Sequence, residues 1–285
     1  MHTTLISVSE LQALNGPVVA IDCSADLTNP AAGRAQFEEQ HIAGALFADI
    51  NTDLATHDKA LAVNGGRHPL PTREHFANWL SSCGIDAQTQ VVVYDRQTMN
   101  YCGRLWWMLK WCGHEAVAVL DGGLQAWVAA GGAVASGPAA PVKAKSFLLR
   151  DSLVALKFTA DVAAALGQPQ QTIVDARAPA RFKGETEPFD PVAGHIPGAL
   201  NRPFTSNFTP EGFMKSPAVL KAEFEALLDG REAHSVVHHC GSGISAVPNV
   251  LAMELAGLGR PALYAGSWSD WCNTPGLPMK TLKTF

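Results

Sequence analysis

The feature that most restricts what this chain can fold into is that it is written twice. An apolar run closing on an acid, Val18-Val19-Ala20-Ile21-Asp22, is followed by His41-Ile42-Ala43-Gly44-Ala45 and then by Val91-Val92-Val93-Tyr94-Asp95. An amphipathic stretch leads on to Val117-Ala118-Val119-Leu120-Asp121-Gly122-Gly123 and Trp127. The second half repeats that order with Thr172-Ile173-Val174-Asp175, His195-Ile196-Pro197-Gly198-Ala199, Ser235-Val236-Val237-His238-His239-Cys240, and Ala262-Leu263-Tyr264-Ala265-Gly266 with Trp271. Matching points lie between 144 residues (Gly122 to Gly266) and 154 residues (His41 to His195) apart. Landmarks in one order at a nearly constant offset mark a duplication. A length of 285 residues suits two domains. The expected units are residues 1–132 and 151–285, joined over 133–150 by a linker rich in Gly, Pro and small residues.

Each half alternates short β-rich apolar runs with longer helical patterns, such as Arg104 to Trp111 and Val247 to Leu258. That alternation predicts an α/β fold: two tandem modules, each a mainly parallel sheet flanked by helices. Ligands of such sheets bind beyond the carboxyl ends of the strands, which directs attention to the residues just after Val93 and Val237. Composition removes other classes. The chain is 47% hydrophobic, enough for a packed core and too much for disorder. A net charge of -5 without a basic run argues against nucleic acid as a partner. No apolar stretch is long enough to span a bilayer, so no membrane role is expected. The start lacks a basic region followed by an apolar one, which predicts a cytoplasmic protein. Six unevenly spaced cysteines do not form a disulfide framework.

After the strand Val236–His239 the chain reads Cys240-Gly241-Ser242-Gly243-Ile244-Ser245-Ala246 and enters a helical pattern, with Pro248 suited to the first turn. A tight glycine-containing loop before a helix can aim several N–H groups at one point. A cysteine opening such a loop sits in positive potential, which favours thiolate and makes a nucleophile. Cysteine is ordinarily a small buried hydrophobe, and Cys23, Cys83, Cys102, Cys112 and Cys272 are read that way. Gly241-x-Gly243-x-x-Ala246 also matches a dinucleotide fingerprint, but no acid closes a following strand about 20 residues on. A phosphatase loop needs Arg six residues after the cysteine to hold a phosphate dianion, and that residue is Ala246. His238, His239 and Cys240 are strand neighbours whose side chains point to opposite faces, so no metal site is expected from them.

These motifs, together with Gly266-Ser267-Trp268, resemble the two-domain rhodanese family of sulfurtransferases. The loop is most similar to that of the 3-mercaptopyruvate sulfurtransferases. The resemblance covers essentially the whole chain, and implies two tandem rhodanese-like domains with the site between them and only the second catalytic. It implies a Cys240 persulfide as sulfur carrier, with the loop from Gly241 through Ser242, Gly243, Ile244 and Ser245 stabilising its charge and the donor's. Asp95 stands where Cys240 stands in the other half and cannot carry sulfur. Arg181, in Asp175-Ala176-Arg177-Ala178-Pro179-Ala180-Arg181-Phe182, is implied as the holder of an anionic donor. Arg177 is read as structural or solvated. A relay from Ser242 to His68, in Arg67-His68-Pro69-Leu70-Pro71, is implied as well, with Asn51 at the position of its acid and Asp49 or Asp53 as substitutes. No cofactor is implied.

The sequence departs from that pattern in two places. The 3-mercaptopyruvate enzymes usually carry a second Arg about nine residues after the first, and Glu187-Pro188-Phe189-Asp190-Pro191-Val192-Ala193-Gly194 offers none; Arg202 is a possible stand-in. His41-Ile42-Ala43-Gly44 lacks the proline of its counterpart. A loop without charged side chains and with one Arg suits a monoanion, so 3-mercaptopyruvate is expected ahead of thiosulfate as the small-molecule sulfur donor. The expected acceptor is a thiol, cyanide or a thioredoxin-like protein. The alternatives are a thiosulfate sulfurtransferase, and a persulfide carrier that passes sulfur to a protein partner.

Overall fold

The computed structural model describes residues 1–282. It divides into two compact units. Among the described residues, the first contains 1–62, 71–153 and 209–214, and the second contains 63–70, 154–208 and 215–282.

In the first unit, strands β1 (Leu5–Ile6), β2 (Val18–Asp22), β4 (Leu46–Phe47), β5 (Gln90–Tyr94) and β6 (Val117–Leu120) form one sheet in the order β1-β6-β5-β2-β4. A short antiparallel pair, β3 (His41–Ile42) with β7 (Val134–Ala135), stands beside it. In the second unit, β8 (Leu156–Lys157), β9 (Thr172–Asp175), β10 (Leu200–Asn201), β11 (Val236–His239) and β12 (Ala262–Tyr264) take the order β8-β12-β11-β9-β10. Both five-stranded sheets are parallel at every pairing. The two orders are one topology used twice, as the duplicated sequence requires. In each, the strand that opens the loop of interest (β5 or β11) is central and buried along its length, which explains the apolar run Val91–Val93 of β5.

The helices of the first unit are α1 (Val8–Gln12), α2 (Ala32–Glu39), α3 (Arg73–Ser82), α4 (Cys102–Trp111) and α5 (Gly123–Ala129). Those of the second are α6 (Thr159–Ala164), α7 (Pro179–Lys183), α8 (Pro217–Leu228), α9 (Val247–Leu255) and α10 (Ser267–Trp271). The expected helices after β5 and β11 are α4 and α9. Helix α9 opens with Pro in its first turn and stops before the expected Leu258, because the N–H groups of Gly257 and Leu258 turn back to cap Glu254 O and Met253 O.

Side-chain detail repeats as well. His41 and His195 each bond through Nδ1 to a phenylalanine carbonyl, Phe37 O at 2.7 Å and Phe182 O at 2.8 Å, and stack on that ring. The turn after each histidine closes with Ala45 N–H to Ile42 O and Ala199 N–H to Ile196 O. Its third residue is a glycine at φ 81 in both copies, as a type II turn demands. Ala43 in place of proline therefore leaves the turn intact. The Gly/Pro-rich stretch after Gly131 is laid along the first unit: Gly137 N–H bonds Glu38 O, Lys145 N–H bonds Ser81 O, and Arg150 N–H bonds Cys112 O. All six cysteines are buried and unpaired in disulfides.

Candidate active site

Cys240 directly follows β11 in the second unit and is 2% exposed. Register places Asp175 of β9 opposite His239, so the residue before the cysteine meets a buried acid. Asp175 takes a bidentate pair from Arg177, with Nη2 to Oδ2 at 2.7 Å, and His239 Nε2 lies 3.6 Å from Oδ2. Burial opposes ionisation of Asp175, but His239 and Arg177 outweigh it and hold the carboxyl below its ordinary range. Arg177 is itself buried, reaches Gly194 O at 2.7 Å, and lies 4.8 Å from the centre of the Trp268 ring. Its bonds to Asp175, Glu187 and Gly194 make it a structural arginine.

The backbone of the loop is clamped by α10. Trp268 N–H donates to Cys240 O at 3.0 Å and Ser269 N–H to Gly241 O at 2.9 Å. Cys240 N–H donates to Ser267 Oγ at 3.1 Å, and that hydroxyl donates on to Tyr264 O. Ser267 pays for this with a left-handed φ of 57°, backbone strain of the kind that collects at functional sites. The first unit shows what such a loop does to an anion. There the Asp95 carboxylate accepts the N–H groups of Gln97, Met99, Tyr101 and Cys102 at 2.8–3.0 Å. Burial holds the Asp95 carboxyl above its ordinary range, and the N–H groups of Cys102, Tyr101 and Gln97 offset only part of that. In the degenerate copy a carboxyl group thus fills the place at which the loop amides converge.

Among the residues expected from sequence, Cys240, Gly241, Ser242, Gly243, Ile244, Ser245, Arg181 and His68 all fall in the second unit. His68 arrives on residues 63–70, and its Nδ1 shares a hydrogen bond of 2.8 Å with Ser242 Oγ. Asn51 belongs to the first unit, where its N–H donates to Asp49 Oδ1. Arg181 lies on α7, and a methyl group at Gly241 would sit 3.1 Å from its Nη2. Glu187 orients that guanidinium through Nε at 3.1 Å and Nη2 at 2.7 Å. Arg202 is committed elsewhere, to Glu223 at 2.8 Å, to Asn207 and to the Phe224 ring.

Sequence reasoning missed Arg67. The same methyl at Gly241 would sit 2.9 Å from Arg67 Nη2, so two guanidiniums face the loop. Arg67 Nε pairs with Asp190 Oδ1 at 3.1 Å. Burial pushes the Asp190 carboxyl up, against the pull of Arg67. The signal was present in Arg67-His68, read there for its histidine alone. His238 faces away from the loop, against Met253 Sδ and the Phe224 ring, and burial drives its pKa down to about 3. Among the described residues no group of three or more His, Cys, Asp or Glu side chains could hold a metal ion.

A family model described as a rhodanese-like domain matches twice, over residues 7–130 and 158–274. A protein of Pseudomonas aeruginosa named "Probable 3-mercaptopyruvate sulfurtransferase" is 41% identical over 280 residues, spanning 97% of this chain and 98% of its own length. A thiosulfate sulfurtransferase of Cricetulus griseus is 35% identical over 246 residues, 84% of this chain and 79% of that one. The solved 3-mercaptopyruvate sulfurtransferase from Leishmania major superposes with a TM-score of 0.81 at 29% identity, covering 96% of this chain and 76% of that one. With one topology repeated in both halves and a cysteine loop in the second, the chain belongs to the rhodanese family as a tandem two-domain member.

Proposed function

We propose that this chain is a sulfurtransferase that takes sulfane sulfur from 3-mercaptopyruvate onto Cys240 and passes it to a thiol or cyanide. The observation that carries this reading is the joint placement of Cys240, the Ser242–His68 pair and the Arg181 guanidinium around Gly241. The Arg181 fork holds the donor carboxylate. The Cys240 thiolate attacks the donor sulfur, and the carbon–sulfur electron pair leaves as the enolate of pyruvate. Ser242, hydrogen-bonded to His68, lies on the path by which a proton reaches that enolate. The products are pyruvate and a Cys240 persulfide. An acceptor thiol then attacks the outer sulfur, leaving as a persulfide and returning the Cys240 thiol. A small thiol or a thioredoxin-like protein fills that role.

With thiosulfate the same attack breaks the sulfur–sulfur bond and releases sulfite. Six buried cysteines unpaired in disulfides support a reducing, cytoplasmic setting. The test is steady-state sulfur transfer to cyanide from each donor, with mass spectrometry of the protein after donor alone. The native chain should gain one sulfur atom, and turn over 3-mercaptopyruvate with the higher kcat/KM. Cys240→Ser should do neither; a variant that still transfers sulfur at the native rate removes Cys240 from the mechanism.

A further inference from the structure

We infer that Arg67 and Asp190 set the charge selectivity of the donor site: Arg67 is a second guanidinium that holds the donor, and Asp190 cancels its charge so that a monoanion is selected over a dianion. This rests on the reading of Cys240 as the sulfur acceptor.

Nine residues after Arg181, in a stretch from Glu187 to Gly194 that holds no arginine, stands Asp190. The second guanidinium, Arg67, comes from residues 63–70, which pack in the same unit. Arg67 and Arg181 both lie over the Phe189 ring, at 4.9 and 5.2 Å from its centre. Their Nη2 atoms face the same point of the loop, Gly241. Two like charges so placed are compensated from beneath by Glu187 and Asp190, whose side chains are 2% and 1% exposed. Behind them Arg177 and Asp175 cancel in turn. The six side chains sum to no net charge, yet each loop-facing guanidinium has five N–H groups to share between its carboxylate and an incoming oxygen. Such a site binds by directed hydrogen bonds and offers no surplus of positive charge to reward a second negative one.

Coulomb energy is linear in the donor's charge. Removing the Asp190 charge therefore multiplies affinity for a monoanion by some factor and for a dianion by its square. The experiment compares native, Asp190→Asn, Arg67→Ala, Arg67→Lys and Arg67→Ala/Asp190→Asn full-length proteins. Each is assayed for kcat and KM with 3-mercaptopyruvate and with thiosulfate, and for calorimetric binding of pyruvate and of sulfate, which need no turnover. Asp190→Asn should shift the donor ratio toward thiosulfate by about tenfold, and sulfate over pyruvate likewise. Arg67→Ala should raise KM for both donors, more steeply for thiosulfate, with kcat largely kept, and Arg67→Lys should restore the ratio. The double variant should bind both anions weakly at the native ratio, and remains informative should Arg67→Ala alone fail to fold. An equal change for both charges, or a change in kcat alone, overturns the assignment. If native protein moves no sulfur from either donor while Asp190→Asn still strengthens sulfate over pyruvate, the sulfurtransferase reading falls and the charge assignment stands.

Discussion

Gly243 is the residue with least freedom in the loop. Its φ is 77°, and a Cβ there would lie 2.2 Å from the carbonyl oxygen of Ala265, backbone that cannot swing aside. Gly243→Ala is expected to cost about 2 kcal/mol or more, from a strained φ plus the displaced strand end. Urea unfolding against native protein measures this, and an unchanged midpoint would show that the loop can relax. Ser267 is the matching constraint from the other side, holding a left-handed φ so that its hydroxyl can take the Cys240 N–H. At this scale the sequence was legible where one residue type has one use. Cys240 and its glycines were read from the loop, and the partners of Arg181 were not. Glu187 and Asp190 were noted only as a stretch without arginine, because ion pairing depends on which side chains converge after folding.

At the scale of elements, parallel pairing of β9 with β11 sets Asp175 against His239 and brings Arg177 in behind the cysteine. The carboxyl of Asp175 is held below its ordinary range, so its stabilising contribution is complete above the unfolded pKa of about 3.9. It is lost as pH falls through the lower folded value. Asp175→Asn should destabilise the chain by about 3 kcal/mol at neutral pH, since it takes the bidentate carboxylate from a buried guanidinium and leaves it Glu187 alone. Urea midpoints of both proteins between pH 7 and pH 2 check the sign: the gap between them should close toward the acid end. A gap constant with pH would mean that shape rather than charge is lost. Strands and helices were readable here because periodicity and apolar runs are local. Even the turn without its proline keeps the same hydrogen bond, since glycine at its third position is what the turn requires. Where α9 stops was not readable from its apolar period, because Leu258 continues the pattern while its N–H already caps the helix.

At the scale of the molecule, chain order and structural unit part company. Residues 63–70 lie within the first sequence repeat and pack in the second unit, and residues 209–214 do the reverse. The first of these segments carries Arg67 and His68, and Gly66 lets it approach closely: a Cβ there would lie 2.7 Å from Gly266 O. Gly66→Ala should push the segment off its seat and lower kcat/KM by about tenfold or more, as small misplacements of binding groups do. Circular dichroism should stay native-like, and unchanged kinetics would mean that Arg67 and His68 are positioned some other way. The sequence by itself determined the duplication and the parallel α/β modules, and it singled out Cys240 with its loop; Arg181 was reached through the resemblance to the family. The duplication, the modules and the loop are written in nearby residues, through period, turn chemistry and spacing. Only the tertiary structure decided which unit residues 63–70 join, that a second guanidinium faces the loop, and that Asp190 and Glu187 neutralise the pair. Those are contacts across long stretches of chain, fixed by packing, and no local pattern records them.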